Sequence, residues 1–214
     1  MPLICFVKGN FRLYVSNTMF FSSFSSGRLL YCEIRYRYLS GVIMNKLSFT
    51  TLNVRGLNSS RKRRAIFRQL HISKFSIIFL QETYGSTDQE KVWSNEWGSK
   101  VYFCHGSKHS KGVAILFNPR LKVLVEKQIC CESGRILILQ FSIDDQKFIC
   151  ANIYAPNNDN AQIIFFKQLR SLLEKFASDN IIVGGDFNCP LSKTIKKEDV
   201  MFRQEGMSPV RSSN

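Results

Sequence analysis

No apolar stretch in this 214-residue chain approaches the roughly 18 residues needed to span a bilayer, so no membrane partner is expected. The ordered basic, apolar and small-residue segments of a secretory leader are missing as well, and none is read at the N-terminus. The 7 cysteines never form a CxxC pair. Cys104 and Cys150 sit singly inside apolar runs and Cys130 adjoins Cys131, a pattern that favours neither a zinc site nor a disulfide framework. A reducing compartment, nuclear or cytoplasmic, fits that usage best. Acidic residues are few, 16 against 30 Lys and Arg, which leaves a net charge of +14 and a pI near 9.7. Such a surface gains affinity for polyanions by releasing their counterions, but charge alone does not separate DNA, RNA and anionic lipid. Disorder is excluded, since 44% of residues are hydrophobic and 13% aromatic. The length suits one domain, with or without an appendage.

Residues 1–43 hold short apolar pieces, a serine patch from Ser22 to Ser26 and an aromatic-basic run from Tyr31 to Tyr38, without a sustained period. They are read as an unassigned, poorly ordered N-terminal extension. Met44 opens the organised domain, 44–191, and 192–214 reads as a polar basic tail.

Within the domain, polar residues recur where apolar strands stop. KLSFTTLN alternates like a strand and ends on Asn53, with Arg55 and Gly56 in the turn beyond. FSIIFLQ is followed at once by Glu82, NIYAP places Tyr154 before a proline turn, and IIVGGDFNCP presents Asp186 and Asn188 past two glycines. Oxygen-bearing side chains at strand ends suit a hard cation or a phosphate. Taken singly, each has an ordinary reading: an Asp turn, a salt-bridged Glu, a packed Tyr. Ser59 or Ser60 can cap a helix from Arg61 to about Lys74 with Ile66, Phe67 and Leu70 inward. The basic cluster Arg61, Lys62, Arg63, Arg64 and Arg68 opposes the helix dipole at that end, so phosphate is a candidate partner beside a solvated face or a localisation signal. A short helix is expected over Asp88–Trp97. Strands follow at Lys100–His105, Gly112–Asn118, Leu121–Lys127, Arg135–Ser142 and Lys147–Tyr154, spaced for antiparallel pairing. His105 and His109 share a basic loop with Lys108 and Lys111 and are not read as ligands. Asp159 or Asn160 caps a helix over Ala161–Ala177 with an apolar stripe, and a strand, Asn180–Gly184, closes the series.

The ordered set TLNVRGLN, FLQET, GVAILF, NIYAPN and IIVGGDFNCPL resembles the endonuclease/exonuclease/phosphatase superfamily over about Met44 to Leu191. The wording is most similar to the apurinic-type endonuclease domain of LINE-type non-LTR retrotransposon proteins, related to exonuclease III. That resemblance implies an α/β fold, a four-layered sandwich of two mainly antiparallel sheets flanked by helices. It implies a DNA-nicking phosphodiesterase dependent on Mg²⁺, with Mn²⁺ as a substitute. Glu82 would ligate the metal with Asn53 assisting, Tyr154 and Asn188 would contact the scissile phosphate, and Asp186 would orient or activate water. Arg55, Arg61, Lys62, Arg63 and Arg64 would hold the DNA. The family pattern continues with further strands, another aspartate and a Ser-Asp-His stretch. Here no histidine follows His109, so a C-terminally truncated, incomplete sandwich with impaired activity is expected. The alternatives are a non-catalytic, basic nucleic-acid-binding remnant and a fragment of an apurinic/apyrimidinic or exonuclease III-type repair enzyme.

Overall fold

Apolar runs of four to eight residues become strands here because each has a facing layer to bury against. The computed structural model describes residues 3–8, 12–16, 29–37, 44–107, 110–176 and 180–188, and their side chains from residue 47 onward. In chain order these form β1 (Leu3–Lys8), β2 (Arg12–Ser16), β3 (Leu29–Arg37), β4 (Met44–Asn53), α1 (Ser60–Ser73), β5 (Ile77–Gln81), α2 (Glu90–Trp97), β6 (Val101–Cys104), β7 (Val113–Phe117), β8 (Leu124–Cys130), β9 (Ile136–Ile143), β10 (Gln146–Tyr154), α3 (Asp159–Leu173) and β11 (Asn180–Asp186). They build two sheets, one ordered β1-β11-β10-β9-β8 and the other β2-β3-β4-β5-β7-β6.

Each sheet contains one parallel pair, β4 with β5 and β10 with β11. The remaining pairings are antiparallel. Leu47, Phe49, Ile77, Phe79, Phe141, Phe148 and Ile182 belong to one continuous core between the sheets, which the α3 residues Phe165, Phe166 and Leu169 join. A second core packs Phe67 and Leu70 of α1 and Trp93 and Trp97 of α2 on Ile78, Leu80 and Leu116 of the six-stranded sheet. The result is the expected α/β sandwich. Ser59 caps α1, its side chain accepting from the Lys62 amide, and Asn158, rather than Asp159 or Asn160, caps α3.

The stretch read as an extension supplies the backbone of β1, β2 and β3, with β1 along β11 and β3 along β4. Strand pairing satisfies backbone amides and carbonyls and needs no side-chain period, so the absence of one did not reveal these strands. The tail expected at 192–214 lies outside the described residues, as do Lys108 and His109. Among the described residues, no helix is long and apolar enough to cross a membrane.

One sequence reading is corrected. Cys104 and Cys130 form a disulfide, although the spacing favoured none. Cys104 ends β6 and Cys130 ends β8, and these strands are the edges of different sheets. The bond therefore clasps the two sheets along one side, a proximity that arises only once both registers are set.

Candidate active site

The two parallel pairs place four strand ends side by side. Asn53 is paired with Gln81, the residue before Glu82, and Tyr154 with Asp186. Asn53 and Glu82 thus come from the six-stranded sheet, Tyr154 and Asp186 from the five-stranded one. The paired glycines allow β11 to come close. A side chain at Gly184 would press on the Phe79 ring at 2.7 Å, and one at Gly185, where φ is +147°, would meet the Ile153 carbonyl oxygen at 2.1 Å.

Between the two carboxylates, the Asn53 amide spans the seam between the sheets. Asn53 Nδ2 donates to Glu82 Oε1 at 2.7 Å and to Asp186 Oδ2 at 3.1 Å. Glu82 Oε2 accepts from the Tyr84 hydroxyl at 2.6 Å, and the Tyr154 hydroxyl also donates to Glu82. Asp186, only 1% exposed, accepts the Asn188 amide N–H at 3.1 Å through Oδ1. Asn188 Nδ2 in turn donates to the Ala155 carbonyl at 2.7 Å, while Gln162 Nε2 donates to the Asn188 carbonyl at 2.9 Å. Asn188 Oδ1 is left buried with no protein partner. Arg55, Glu82, Tyr84 and Asn188 all hold positive φ, 47° to 56°. Such residues cost about 1–3 kcal/mol each and persist where the surroundings impose them, commonly at functional sites. Here the imposition is visible: Gly56 N–H donates to the Glu82 carbonyl, Leu57 to Thr83, and Thr83 to Gly112.

The carboxylates are driven apart electrostatically. Burial pushes the Glu82 carboxyl upward, but hydrogen bonds from Asn53, Tyr84 and Tyr154 outweigh it and hold the group below its ordinary range. Burial dominates at Asp186, with a smaller push from the Glu82 charge, and its carboxyl lies above the ordinary value against opposition from Asn53 and Asn188. Burial and the bond to Glu82 push the Tyr84 phenol up to about 12 and raise Tyr154 for the same reasons. One carboxylate is therefore kept as an anion while its neighbour takes up a proton more readily.

This donor set fits a hard cation. The groups hydrogen-bonded to the carboxylates are neutral, namely an amide, two phenols and a backbone N–H. Among the described residues no cluster of three or more His, Cys, Asp or Glu could hold a metal. Mg²⁺ does not require one, since it is commonly held by one or two carboxylates and keeps several waters.

The basic residues divide. Arg55, Arg61 and Arg64 are exposed around the start of α1. Lys62 turns inward, its Nζ donating to the Val54 carbonyl at 2.7 Å and the Arg55 carbonyl at 3.0 Å, so it braces the turn after Asn53. Arg63, also expected to hold DNA, is buried: it forks onto Glu96, donates to the Leu57 carbonyl at 2.9 Å and lies over the Trp93 ring. Two site residues escaped the sequence reading. Tyr84 is two positions past Glu82. Arg135 lies over the Tyr154 ring at 4.7 Å and donates to its carbonyl at 2.9 Å. A tyrosine two residues beyond a candidate ligand was a usable signal; nothing in SGRIL marked Arg135.

With this geometry in view, residues 50–205 match the Endonuclease/Exonuclease/phosphatase family, and the chain belongs to it. Within that family it is 32% identical over 146 residues to the transposon TX1 uncharacterized 149 kDa protein of Xenopus laevis, an alignment covering 68% of this chain. The chain spans 11% of that relative. The fold is shared with an endonuclease/exonuclease/phosphatase family protein from Bacteroides thetaiotaomicron, with a TM-score of 0.58 and 15% identity over 74% of this chain and 68% of that one. An AP endonuclease from Archaeoglobus fulgidus gives a TM-score of 0.53 and 20% identity, covering 66% of this chain and 57% of its own.

Proposed function

We propose that this chain is a retrotransposon-derived endonuclease domain that nicks DNA by metal-dependent phosphodiester hydrolysis. The observation that carries the reading is the Asn53 amide joining Glu82 and Asp186 across the two sheets. The transposon relative and the AP endonuclease fold support it, as does the net charge of +14.

Glu82, with Asn53, would hold Mg²⁺ or Mn²⁺, and the ion when bound supplies charge neutralisation at the phosphate and the departing oxygen. The chain's own groups do the rest. Asp186 accepts a proton from the attacking water as the water oxygen bonds to phosphorus. Tyr154, its hydroxyl turning from Glu82, and the Asn188 side-chain amide, through the hydrogen not given to Ala155, donate to phosphate oxygens as the bond to the 3′ oxygen breaks. No described histidine serves Asp186, because His71 stacks on Trp97 and His105 pairs with Glu90; the carboxylate is itself the base. Exposed Arg55, Arg61 and Arg64 hold the flanking backbone.

The net charge of +14 and the exposed Arg55, Arg61 and Arg64 equally support a second reading, DNA binding without cleavage. Conversion of supercoiled plasmid to open circles, in Mg²⁺ or EDTA, decides between them. The first predicts metal-dependent nicking that falls by about 100-fold or more in Asp186→Asn. Salt-sensitive binding without nicking supports the second, and nicking equal in wild type and variant overturns the proposed site.

A further inference from the structure

Directly beneath the carboxylates lies a second polar layer that the hydrolytic step does not touch. Thr51 precedes Asn53 by two positions on β4, Asn152 precedes Tyr154 by two on β10, and Gln81 immediately precedes Glu82. All three are buried, with Gln81 and Asn152 0% exposed and Thr51 2%. Asn152 belongs to the five-stranded sheet, yet both of its amide hydrogens go to the other sheet, to the Leu80 carbonyl at 2.8 Å and the Ala114 carbonyl at 2.7 Å. Its Oδ1 accepts from Gln81 Nε2 at 2.7 Å, and Gln81 Nε2 also donates to Thr51 Oγ1 at 2.9 Å. The neighbouring interface is apolar, with Phe79 and Cys150 below this layer, and Gly184 stands beside Asn152 on β11.

Apolar contact holds two sheets together without fixing their offset, because it is non-directional, whereas hydrogen bonds demand distance and angle. Since the site is divided between the sheets, its geometry depends on what crosses the seam. We propose that Gln81 and Asn152 are positioning residues that set the offset of Glu82 and Asn53 against Tyr154 and Asp186, an inference resting on the proposed hydrolytic reading. Leaving a buried polar partner unpaired is costly, while replacing both partners by apolar groups of similar shape is nearly neutral. That asymmetry separates positioning from mere stability.

The test uses the full chain with Gln81→Met and Asn152→Leu, singly and combined. Each single change should lower thermal stability, and the double change should cost less than the two singles added, because only the Gln81–Asn152 bond loses both partners while the Leu80 and Ala114 carbonyls and Thr51 Oγ1 lose a donor. The double variant should still nick about 10–100-fold more slowly in kcat, with KM for plasmid unchanged, and its crystal structure should show Asn53 no longer spanning both carboxylates. A folded double variant with wild-type kcat and an intact Asn53 bridge overturns the proposal. If the wild-type chain does not nick, the hydrolytic reading fails and the crystal structure alone decides the positioning claim. Should the double variant not fold, Thr51→Val is read the same way: a several-fold lower kcat with a displaced bridge supports the proposal, and wild-type values for both overturn it.

Discussion

Replacing Arg63 with alanine should damage the fold, while the same change at Arg61 should damage DNA binding, although the two are neighbours on one basic helix turn. Arg63 has a side-chain exposure of 5% and its partner Glu96 of 14%. Removing one member of a buried ion pair typically costs about 3–5 kcal/mol. Glu96 would keep Arg64 at 3.0 Å and some solvent, which places the loss toward the lower end, about 3 kcal/mol. For a domain of this size that lowers Tm by roughly 6–12 °C. Arg61→Ala, at an exposed position, should stay within about 0.5 kcal/mol but reduce the slope of log affinity against log salt by about 1. Thermal unfolding followed by circular dichroism, together with DNA-binding anisotropy at several salt concentrations, measures both. An Arg63→Ala protein with wild-type Tm and the salt-slope loss expected of Arg61→Ala would refute the structural assignment of Arg63.

The raised Asp186 carboxyl favours folding below the ordinary carboxylate pKa, and that contribution is lost as pH rises through the raised value. In EDTA, Asp186→Asn should therefore unfold at a higher temperature than wild type at pH 7, with the gain shrinking in acid. Glu82→Gln should show the opposite sign: the depressed Glu82 carboxyl stabilises above its ordinary value and loses this as pH falls. Tm profiles against pH that coincide for the two variants would contradict both assignments. Gly185→Ala, with its new methyl against the Ile153 carbonyl, should lose at least about 2 kcal/mol in urea unfolding. Cys104→Ser/Cys130→Ser opens a cross-link with a sequence separation of 26 and should cost about 3–4 kcal/mol in oxidising buffer, a difference that disappears in dithiothreitol.

The strands from β4 onward were legible because each stops at a turn signal, and for the same reason Asn53, Glu82, Tyr154, Asp186 and Asn188 stood out at their ends. Strand β8 runs Leu124–Cys130 rather than Leu121–Lys127, since an exposed edge strand has little apolar pattern to fix its bounds. Arg63 was readable in principle: it shares the i, i+3, i+4, i+7 face with Ile66, Phe67 and Leu70, but four consecutive basic residues hid that periodicity. Gln81 and Asn152 carried the signal of a polar residue inside an apolar run. Their partners across the seam could not be read, because those hydrogen bonds join two sheets over 38, 71 and 72 residues of sequence. The Cys104–Cys130 bond was hidden by the same kind of distance.

The proposed hydrolysis requires Glu82 and Asp186 to act as one site assembled from two sheets. The most direct measurement is the plasmid-nicking rate in Mg²⁺ for wild type, Glu82→Gln, Asp186→Asn and the double variant. Groups that act as a unit give strongly non-additive losses, so the double variant should be no more than a few-fold slower than the worse single one. Losses that multiply, or a single variant that nicks as fast as wild type, would contradict a shared site.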